Sequence, residues 1–367
     1  MNFVNTLRNI INIFLFYFSC HKTVGTFKII TLAASLNENI VDLDKETFND
    51  GGSIQVENAR IKCWKAGGHG HQTYLQVVEN SCNPGFVTLG QRLGKEKLFS
   101  YIRNFGFGSK TGIDLNGEAS GILFNLDKVG PVELATTAFG QGVSVTPIQQ
   151  ITAVSAAING GNLYKPYVVK RILEPVTNNV IKENTPTLVR NVIDSNTSKE
   201  VRRALESVVA NGTGRNAYIE GLSVGGKTGT AQKVNNGAYM IGNYIVSFIG
   251  FTPVSHPEVV VYVAIDYPKG IVQYGGTVAA PVAKSILTDC INILNIEKDD
   301  VKDKNYNWNE VKYERVPDVV NMTKDEALKK LSKYKVITEG NGNIVIEQSP
   351  SHNDKVRLGE EVRIYLK

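Results

Sequence analysis

Apolar residues recur at helical spacing in several segments between residues 27 and 294. They do so in "FKIITLAASLNE" from Phe27, in "SKEVRRALESVVANGTG" from Ser198, and in "GGTVAAPVAKSILTDCINIL" from Gly275. This periodicity predicts three helices, and glycine closes the second. In "GPVELATTAFGQGVSVTPIQQITAVSAAINGG" a glycine turn precedes a long alanine-rich apolar segment, which predicts a buried helix ending at Gly160–Gly161.

Three runs rich in β-branched and aromatic residues follow one another, separated by turn residues. They read "GLSVGGKTGTAQKV" (221–234), "NYIVSFIGFTP" (243–253) and "EVVVYVAIDYP" (258–268). This pattern predicts three strands. The third run is apolar on both faces, so we expect it to lie inside a sheet that helices cover on both sides.

The composition changes near residue 296. The stretch "EKDDVKDKNYNWNEVKYER" is charged and nearly free of aliphatic residues, as linkers are. Beyond it, Thr323 and Glu326 have capping-box spacing ahead of a short amphipathic helix. Alternation in "NIVIEQSP" and "EEVRIYLK" predicts strands. We therefore expect a main unit over 26–295, a linker over 296–314 and a small α+β unit over 315–367.

Residues 1–25 form an amino-terminal segment that fits neither unit. Its apolar stretch, Ile10 to Phe18, is interrupted by Asn12 and is too short to span a bilayer. Two interpretations remain open, a short signal-like hydrophobic segment and a frameshifted sequence.

Composition narrows the function classes. The chain has 367 residues, 42% hydrophobic and 20% charged, with a formal charge of +5. These values are typical of an ordinary globular protein, and a mildly basic surface suits a polymeric or acidic partner such as cell wall. No nucleic-acid motif is present. The four cysteines form no CxxC, and His69 with His71 make a poor metal pair, so we expect no metal and no cofactor.

Two short motifs carry candidate chemistry. In "SVGGKTGTAQ", Lys227 can meet a carboxylate, Thr228 and Thr230 add hydroxyl donors, and Gly229 leaves room for a substrate backbone. In "VENSCNPGF", Ser81 and Asn83 form a Ser-x-Asn motif on a turn after a helix-like run. Together with the "FK" helix around Lys28, they match the three-part pattern of serine penicillin-recognising enzymes.

The chain from Thr26 to about Leu294 is similar to the transpeptidase domain of class B penicillin-binding proteins. The segments "TFKIITLAASL", "FGFGSKTGIDLNGE", "TTAFGQGVSVTPIQ", "GGKTGTAQ" and "YGGTVAAPV" fall in the family's order. The carboxy-terminal unit resembles a PASTA domain, and the sporulation-specific members are the most alike. The resemblance implies an α+β fold, an antiparallel sheet covered by helices, followed by a small α+β PASTA domain.

The resemblance also implies a mechanism. A serine one helical turn before Lys28 attacks a terminal D-Ala-D-Ala peptide bond, and Lys28 takes its proton. Ser81 relays protons to the leaving amine, Asn83 orients the substrate amide, and Lys227 with Thr228 grips the terminal carboxylate. The backbone N–H groups of residues 25 and 230 form the oxyanion hole. β-Lactams mimic D-Ala-D-Ala and trap the acyl state.

This sequence departs from the family at the nucleophile. Family members read P-G-S-T-F-K, whereas this chain reads T-V-G-T-F-K, so the position of the serine is Gly25. Thr26 is no substitute, because one step along a helix rotates a side chain by about 100°. We expect this chain to be inactive in acyl transfer. We also expect the "EVVVYVAIDYP" strand to be an exposed edge, since the family's opening strands have no counterpart before Thr26.

Several alternatives stay open. The departure at Gly25 fits a frameshift, a gene fragment or a true pseudoenzyme, and the chain fits a non-catalytic stem-peptide binding module as well as a transpeptidase. A β-lactamase or carboxypeptidase of related fold is disfavoured by the PASTA unit. The family implies stem peptides and β-lactams as ligands, and a glycosyltransferase or divisome-type membrane protein as partner. It also implies a location on the extracytoplasmic face of the cell membrane.

A Cys63–Cys82 disulfide acting as a redox gate is a further hypothesis, and two free thiols are the alternative.

Overall fold

The computed structural model describes residues 20–235, 238–297, 313–357 and 361–367. The apolar stretch Ile10–Phe18 and most of the expected linker lie outside these ranges. The helices are α1 (Lys28–Asn37), α2 (Tyr74–Glu79), α3 (Asn83–Asn104), α4 (Pro131–Ala138), α5 (Pro147–Ile158), α6 (Ser195–Ala210), α7 (Gly275–Leu294) and α8 (Lys324–Lys330), with 3-10 turns at Leu126–Lys128 and Arg215–Ala217. The strands are β1 (Thr47–Asp50), β2 (Ser53–Val56), β3 (Ala59–Lys62), β4 (Gly70–Thr73), β5 (Asn162–Lys165), β6 (Arg171–Leu173), β7 (Val180–Glu183), β8 (Thr187–Asn191), β9 (Gly225–Asn235), β10 (Ala238–Thr252), β11 (Val259–Asp266), β12 (Tyr313–Arg315), β13 (Lys335–Glu339), β14 (Val345–Ser349), β15 (Lys355–Arg357) and β16 (Glu361–Leu366).

The three predicted strands form one antiparallel sheet in the order β11-β10-β9. Phe248 in the central strand pairs with Thr228 on one side and with Val263 on the other. The α+β fold class, with an antiparallel sheet covered by helices, is therefore confirmed.

Strand β11 is apolar on both faces because each face packs against a different core cluster. Val259, Val261 and Val263 pack against the core cluster of α7, whereas Val260 and Tyr262 pack against the cluster that contains α1 and α5. Helical layers thus cover both faces, as predicted. Among the described residues the strand pairs with β10 alone, and the exposed edge expected from the sequence stays a prediction.

Helix α1 lies at the centre of the main unit. All residues from Lys28 to Ser35 are buried, and Phe27 and Ile30 join the largest core cluster. Burial around the whole circumference of a helix requires partners on every side. These partners include α3, α5 and α6, and they fix where the first residue of α1 points.

The alanine-rich segment over 130–161 holds two helices where the sequence predicted one. Helix α4 ends at Ala138, and Gly140 follows at φ +90°, a conformation that stops a helix. Helix α5 begins at Pro147 behind the N-cap of Thr146, whose hydroxyl accepts from Gln149 N–H. The intervening glycines and the new cap account for the break. The glycine stop at Gly160–Gly161 is as expected.

The carboxy-terminal unit is a sheet in the order β13-β16-β14 beside α8. The predicted capping box is present, because Thr323 and Glu326 satisfy each other's backbone N–H groups. This unit contacts the main unit directly. The Tyr274 hydroxyl donates to Glu361 at 2.8 Å, and Arg363 donates to the Trp64 carbonyl at 3.2 Å.

Helix α7 is long and apolar enough to cross a membrane by length and composition. Its alanine face, Ala279, Ala280 and Ala283, is fully buried with Phe248 of the central strand. In this fold the helix packs on the sheet.

Candidate active site

Lys28 is the first residue of α1 and is 2% exposed. Its ammonium group donates to the Ser81 carbonyl at 2.7 Å, to Ser81 Oγ at 3.1 Å and to Asn83 Oδ1 at 2.7 Å. It also lies 5.3 Å from the centre of the Phe86 ring, within the range of a cation–π contact. The structure thus brings together Lys28, Ser81 and Asn83, as the sequence motifs predicted.

The Ser-x-Asn motif is a tight connection between two helices. Helix α2 ends at Glu79, and Ser81 takes a left-handed φ of +53°. Cys82 is the N-cap of α3, and Asn83 and Pro84 open its first turn. Because the chain reverses within so few residues, one carbonyl and two side-chain oxygens face the same ammonium group.

Burial lowers the pKa of Lys28 to about 8. Removing the ammonium group from water disfavours its charged form, and the nearby thiols of Cys82 and Cys63 oppose that shift only in part. Lysines poised near neutral pH are suited to proton transfer.

Strand β9 forms the opposite side of the site. Lys227 is fully buried, and within the described part of the chain its one hydrogen bond is a long 3.5 Å contact to the Thr228 carbonyl. Burial lowers the Lys227 pKa well below its usual value, and the positive charge of Lys28 lowers it further. Thr228 and Thr230 line the cleft, whereas Lys227 lies behind them. The Thr228 hydroxyl is 3.0 Å from the Thr213 hydroxyl.

Gly25 lies against β9 with no room for a side chain. Its φ is +97°, and a Cβ at this position would come within 2.5 Å of the Thr228 carbonyl oxygen and 2.8 Å of the Gly229 Cα. Both the backbone conformation and the close approach require glycine. The position that the family gives to the nucleophile is therefore adapted to glycine in this chain.

The two N–H groups expected to form the oxyanion hole are both occupied within the chain in this structure. The Gly25 N–H donates to the Phe139 carbonyl at 3.2 Å, and the Thr230 N–H donates to the Val24 carbonyl at 3.1 Å. Since both donors are used within the chain, neither is available to a substrate oxygen without a shift of residues 24 and 25. No sequence motif could predict this, because the acceptors are backbone carbonyls.

The two sides face a cleft of about 1360 Å³. Sequence reasoning missed several of its residues. Tyr274 and Trp64 line it from the main unit, and Arg363 and Glu361 line it from the carboxy-terminal unit. Arg363 is held by Glu339 and Glu361 at 3.0 and 2.9 Å. No local motif marks these positions, because the two units meet through tertiary packing.

Cys63 and Cys82 are free thiols close to this site. The Cys82 thiol donates to Asp50 Oδ2 at 3.3 Å. The interaction with Cys82, together with His69 at 3.4 Å from the Cys63 sulfur, lowers the pKa of Cys63 to about 6. The interaction with Cys63 and burial raise the pKa of Cys82. A disulfide between the two stays a prediction.

Comparison with known families assigns both units. Residues 25–288 match the penicillin binding protein transpeptidase domain, and residues 314–367 match the PASTA domain. The chain belongs to the class B penicillin-binding proteins. Stage V sporulation protein D of Bacillus subtilis is 55% identical over 349 residues, which are 95% of this chain and 54% of that protein. The chain therefore spans about half the length of this relative.

Solved penicillin-binding proteins share the fold. Penicillin binding protein 3 of Mycobacterium tuberculosis, complexed with ampicillin, superposes with a TM-score of 0.71 at 28% identity, covering 79% of this chain and 65% of that one. Penicillin binding protein 2X of Streptococcus thermophilus covers 96% of this chain and 53% of its own, with a TM-score of 0.66 at 20% identity. The second likeness concerns the fold alone.

Proposed function

We propose that this protein serves peptidoglycan cross-linking by recognising D-Ala-D-Ala ends of stem peptides in the cleft between the Ser81–Asn83 turn and β9. In the form given by this sequence, it holds the peptide without forming an acyl-enzyme. The observation that carries the proposal is the convergence of Lys28 on Ser81 and Asn83 at 2.7 to 3.1 Å, beside a β-strand with Lys-Thr-Gly-Thr.

The two sides of the cleft have complementary roles in this proposal. On the turn side, Asn83 orients the substrate amide, and Ser81 with Lys28 forms the proton-relay pair. On the strand side, the hydroxyls of Thr228 and Thr230 meet the terminal carboxylate. Lys227 behind them supplies the positive charge that an anion favours, since it has little other compensation. Gly229 has no side chain, so a peptide backbone can approach the strand closely.

Acyl transfer needs a nucleophilic oxygen on the face of Lys28, and Gly25 has none. Thr26 is fully buried, and its hydroxyl donates to the Thr23 carbonyl at 3.3 Å, so it is turned to its own backbone. These contacts favour a non-catalytic binding module, the second function considered, as the state of this chain.

The biological setting follows the relatives. The likeness to a stage V sporulation protein supports a role in the wall of the spore or septum, on the extracytoplasmic face of the cell membrane, beside a glycosyltransferase or divisome-type membrane partner. Residues 26–295 act as the peptide-binding unit and residues 315–367 as the PASTA unit, and residues 296–314 join them. Arg363 at the cleft rim gives the PASTA unit a place next to the bound peptide.

Two measurements test the proposal. Calorimetry should show reversible binding of a stem pentapeptide ending in D-Ala-D-Ala, and weaker binding of the tetrapeptide that lacks the last residue. Fluorescent penicillin should leave no covalent label on the chain. An adduct mapped to any residue would refute the non-catalytic state, and equal or absent binding of the two peptides would refute the recognition of D-Ala-D-Ala.

A matched pair of variants isolates the missing hydroxyl. Gly25→Ser and Gly25→Ala place the same Cβ against Thr228, so both must shift the turn, but only the serine brings an oxygen. We expect penicillin labelling of Gly25→Ser alone. Labelling of neither variant, when both fold and bind the pentapeptide, would show that the turn no longer presents residue 25 to the cleft.

A further inference from the structure

Four metal-ligating side chains converge behind the Ser-x-Asn turn. They are Asp50, Cys63, His69 and Cys82, and their ligand atoms all lie within 4.8 Å of one another. None of the four has a role in the proposed peptide binding. They come from four separate segments: the end of β1, the residue after β3, the residue before β4 and the N-cap of α3. Spacing along the sequence therefore could not reveal them.

The distances within this cluster suit a small tetrahedral ion. His69 Nδ1 is 2.8 Å from Asp50 Oδ2, Cys63 Sγ is 3.4 Å from His69 Nδ1, and Cys82 Sγ is 3.3 Å from Asp50 Oδ2. Tetrahedral zinc with sulfur, nitrogen and oxygen ligands separates its ligand atoms by about 3.3 to 3.8 Å. These three separations lie within about 0.5 Å of the tetrahedral values, and all four ligand atoms lie within 4.8 Å of one another.

The backbone around the cluster holds the ligands in place. Asp50 Oδ1 accepts from Gly52 N–H at 2.9 Å, which turns Oδ2 toward His69 and Cys82. The backbone N–H of His69 donates to Asp50 Oδ2 at 3.0 Å. Gly68 lies so close to the Asp50 carbonyl that a Cβ would be 2.2 Å from it, at φ +76°. The carboxylate and the imidazole are thus oriented before any ion binds, as metal sites require.

The chemistry of the four donors is selective. Two thiolates and an imidazole are soft to borderline ligands that favour zinc over magnesium or calcium. The Asp50 side chain is fully buried and that of His69 is 4% exposed, whereas Cys63 lines the cleft and leaves a path for entry. A divalent ion with two thiolates and one carboxylate carries a net charge of −1, and the ammonium group of Lys28 interacts favourably with both cysteines.

We propose that Asp50, Cys63, His69 and Cys82 form a structural zinc site. In binding, the ion takes the place of the two thiol protons, which pass to solvent. The proton that His69 Nδ1 shares with Asp50 moves to Nε2, so the imidazole binds as a neutral ligand. Cys82 stands between Ser81 and Asn83, the two residues that accept from Lys28. The bound ion therefore fixes the turn on which the proposed peptide contacts depend.

The site is tested by a zinc titration of the full chain, reduced and freed of metal, in competition with a chromophoric chelator. We expect one zinc per chain, and cobalt in its place should give the visible bands of a tetrahedral thiolate complex. Cys63→Ser should weaken zinc binding by ~100-fold or more, because changes around a metal ligand alone cost up to that factor. Cys290→Ser, a cysteine in α7 outside the cluster, is the matched control and should bind like the parent chain.

Thermal unfolding distinguishes a variant that has lost zinc binding from one that fails to fold. Zinc should raise the Tm of the parent chain and of Cys290→Ser but not that of Cys63→Ser, and Asp50→Asn offers a second variant that keeps the side-chain shape. A reduced parent chain that takes up no zinc would overturn the site, as would equal zinc affinity in Cys63→Ser. Because peptide binding is measured separately, either outcome leaves the proposed function to its own test.

Discussion

Lys28 and Lys227 are both fully buried in the same site, but their ammonium groups have different surroundings. Lys28 donates to three oxygens of the Ser81–Asn83 turn, at 2.7, 3.1 and 2.7 Å. Within the described residues Lys227 has one long contact, 3.5 Å to the Thr228 carbonyl. The Lys28 pKa falls to about 8, whereas that of Lys227 falls well below its usual value.

The difference assigns different tasks to the two lysines. The hydrogen bonds of Lys28 are complete within the protein, so it organises the turn whether or not a ligand is present. In the part of the chain that the structure describes, Lys227 contacts the Thr228 carbonyl and no anion, and a buried cation without an anionic partner is costly. A ligand carboxylate near Thr228 would supply that partner, which makes the strand side the one that gains most when the cleft is filled.

Replacing each lysine by methionine should give the largest effect, because the two variants should change stability in opposite directions. Lys28→Met leaves buried oxygens of the turn without a donor and should lower the free energy of unfolding by about 2 kcal/mol. Lys227→Met removes a poorly compensated charge and should be neutral or stabilising by about 2 kcal/mol. Urea unfolding measures the difference in the free energy of unfolding between the two variants, and Lys45→Met, at an exposed position, is the control. Equal losses in the two variants would refute the division of tasks.

Gly25 lies where the two sides meet, and its substitution should have the next largest effect. Gly25→Ala forces a left-handed backbone on a residue with a Cβ and drives that Cβ to 2.5 Å from the Thr228 carbonyl. We expect a loss of about 3 kcal/mol, combining backbone strain with overpacking. Gly221→Ala, a left-handed glycine with nothing near its missing Cβ, isolates the strain. If both variants lose the same stability, the contact with Thr228 is unimportant.

The depressed pKa of Lys28 predicts a pH dependence of stability. In the unfolded chain this lysine keeps its proton up to about pH 10.5, whereas in the fold it loses the proton near pH 8. The unfolded state therefore binds more protons between these values, and stability rises with pH across that window. From pH 8 to pH 10 the parent chain should gain about 2 kcal/mol relative to Lys28→Met. Taking the difference between the two proteins removes the contribution of other groups, and a flat difference would contradict the assigned pKa.

Short motifs with a fixed local geometry predicted much of the site. The "FK" helix places Lys28 at its start, and a Ser-x-Asn motif between two helices places its oxygens together, because the sequence sets both local structures. The three strands and the capping box at Thr323 were likewise predicted from period and propensity.

The features of the fold and the site that the sequence did not predict depend mostly on contacts between segments far apart in the sequence. The break between α4 and α5 arises at Gly140 and Pro147 inside one apolar run, where periodicity alone gives no boundary. The occupied N–H groups of Gly25 and Thr230 and the arrival of Arg363 at the cleft rim follow from tertiary packing. The convergence of Asp50 and His69 on the two cysteines does too, so sequence spacing argued against a metal site.

The smallest effect should come from the hydroxyl of Thr228, which tests the strand side alone. Thr228→Val keeps the shape of the side chain and removes the 3.0 Å hydrogen bond to Thr213, so the free energy of unfolding should fall by about 1 kcal/mol. The same change removes a donor to the ligand carboxylate, and affinity for the pentapeptide should fall by ~10-fold. Thr213→Val breaks the same hydrogen bond from its other end, together with the 3.2 Å hydrogen bond from Thr213 to the Glu79 carbonyl, while it leaves the Thr228 hydroxyl free to meet the ligand. It should therefore lose at least as much stability as Thr228→Val but retain most of the peptide affinity. If the two variants lose affinity equally, Thr228 acts by shaping the cleft and the carboxylate lies elsewhere.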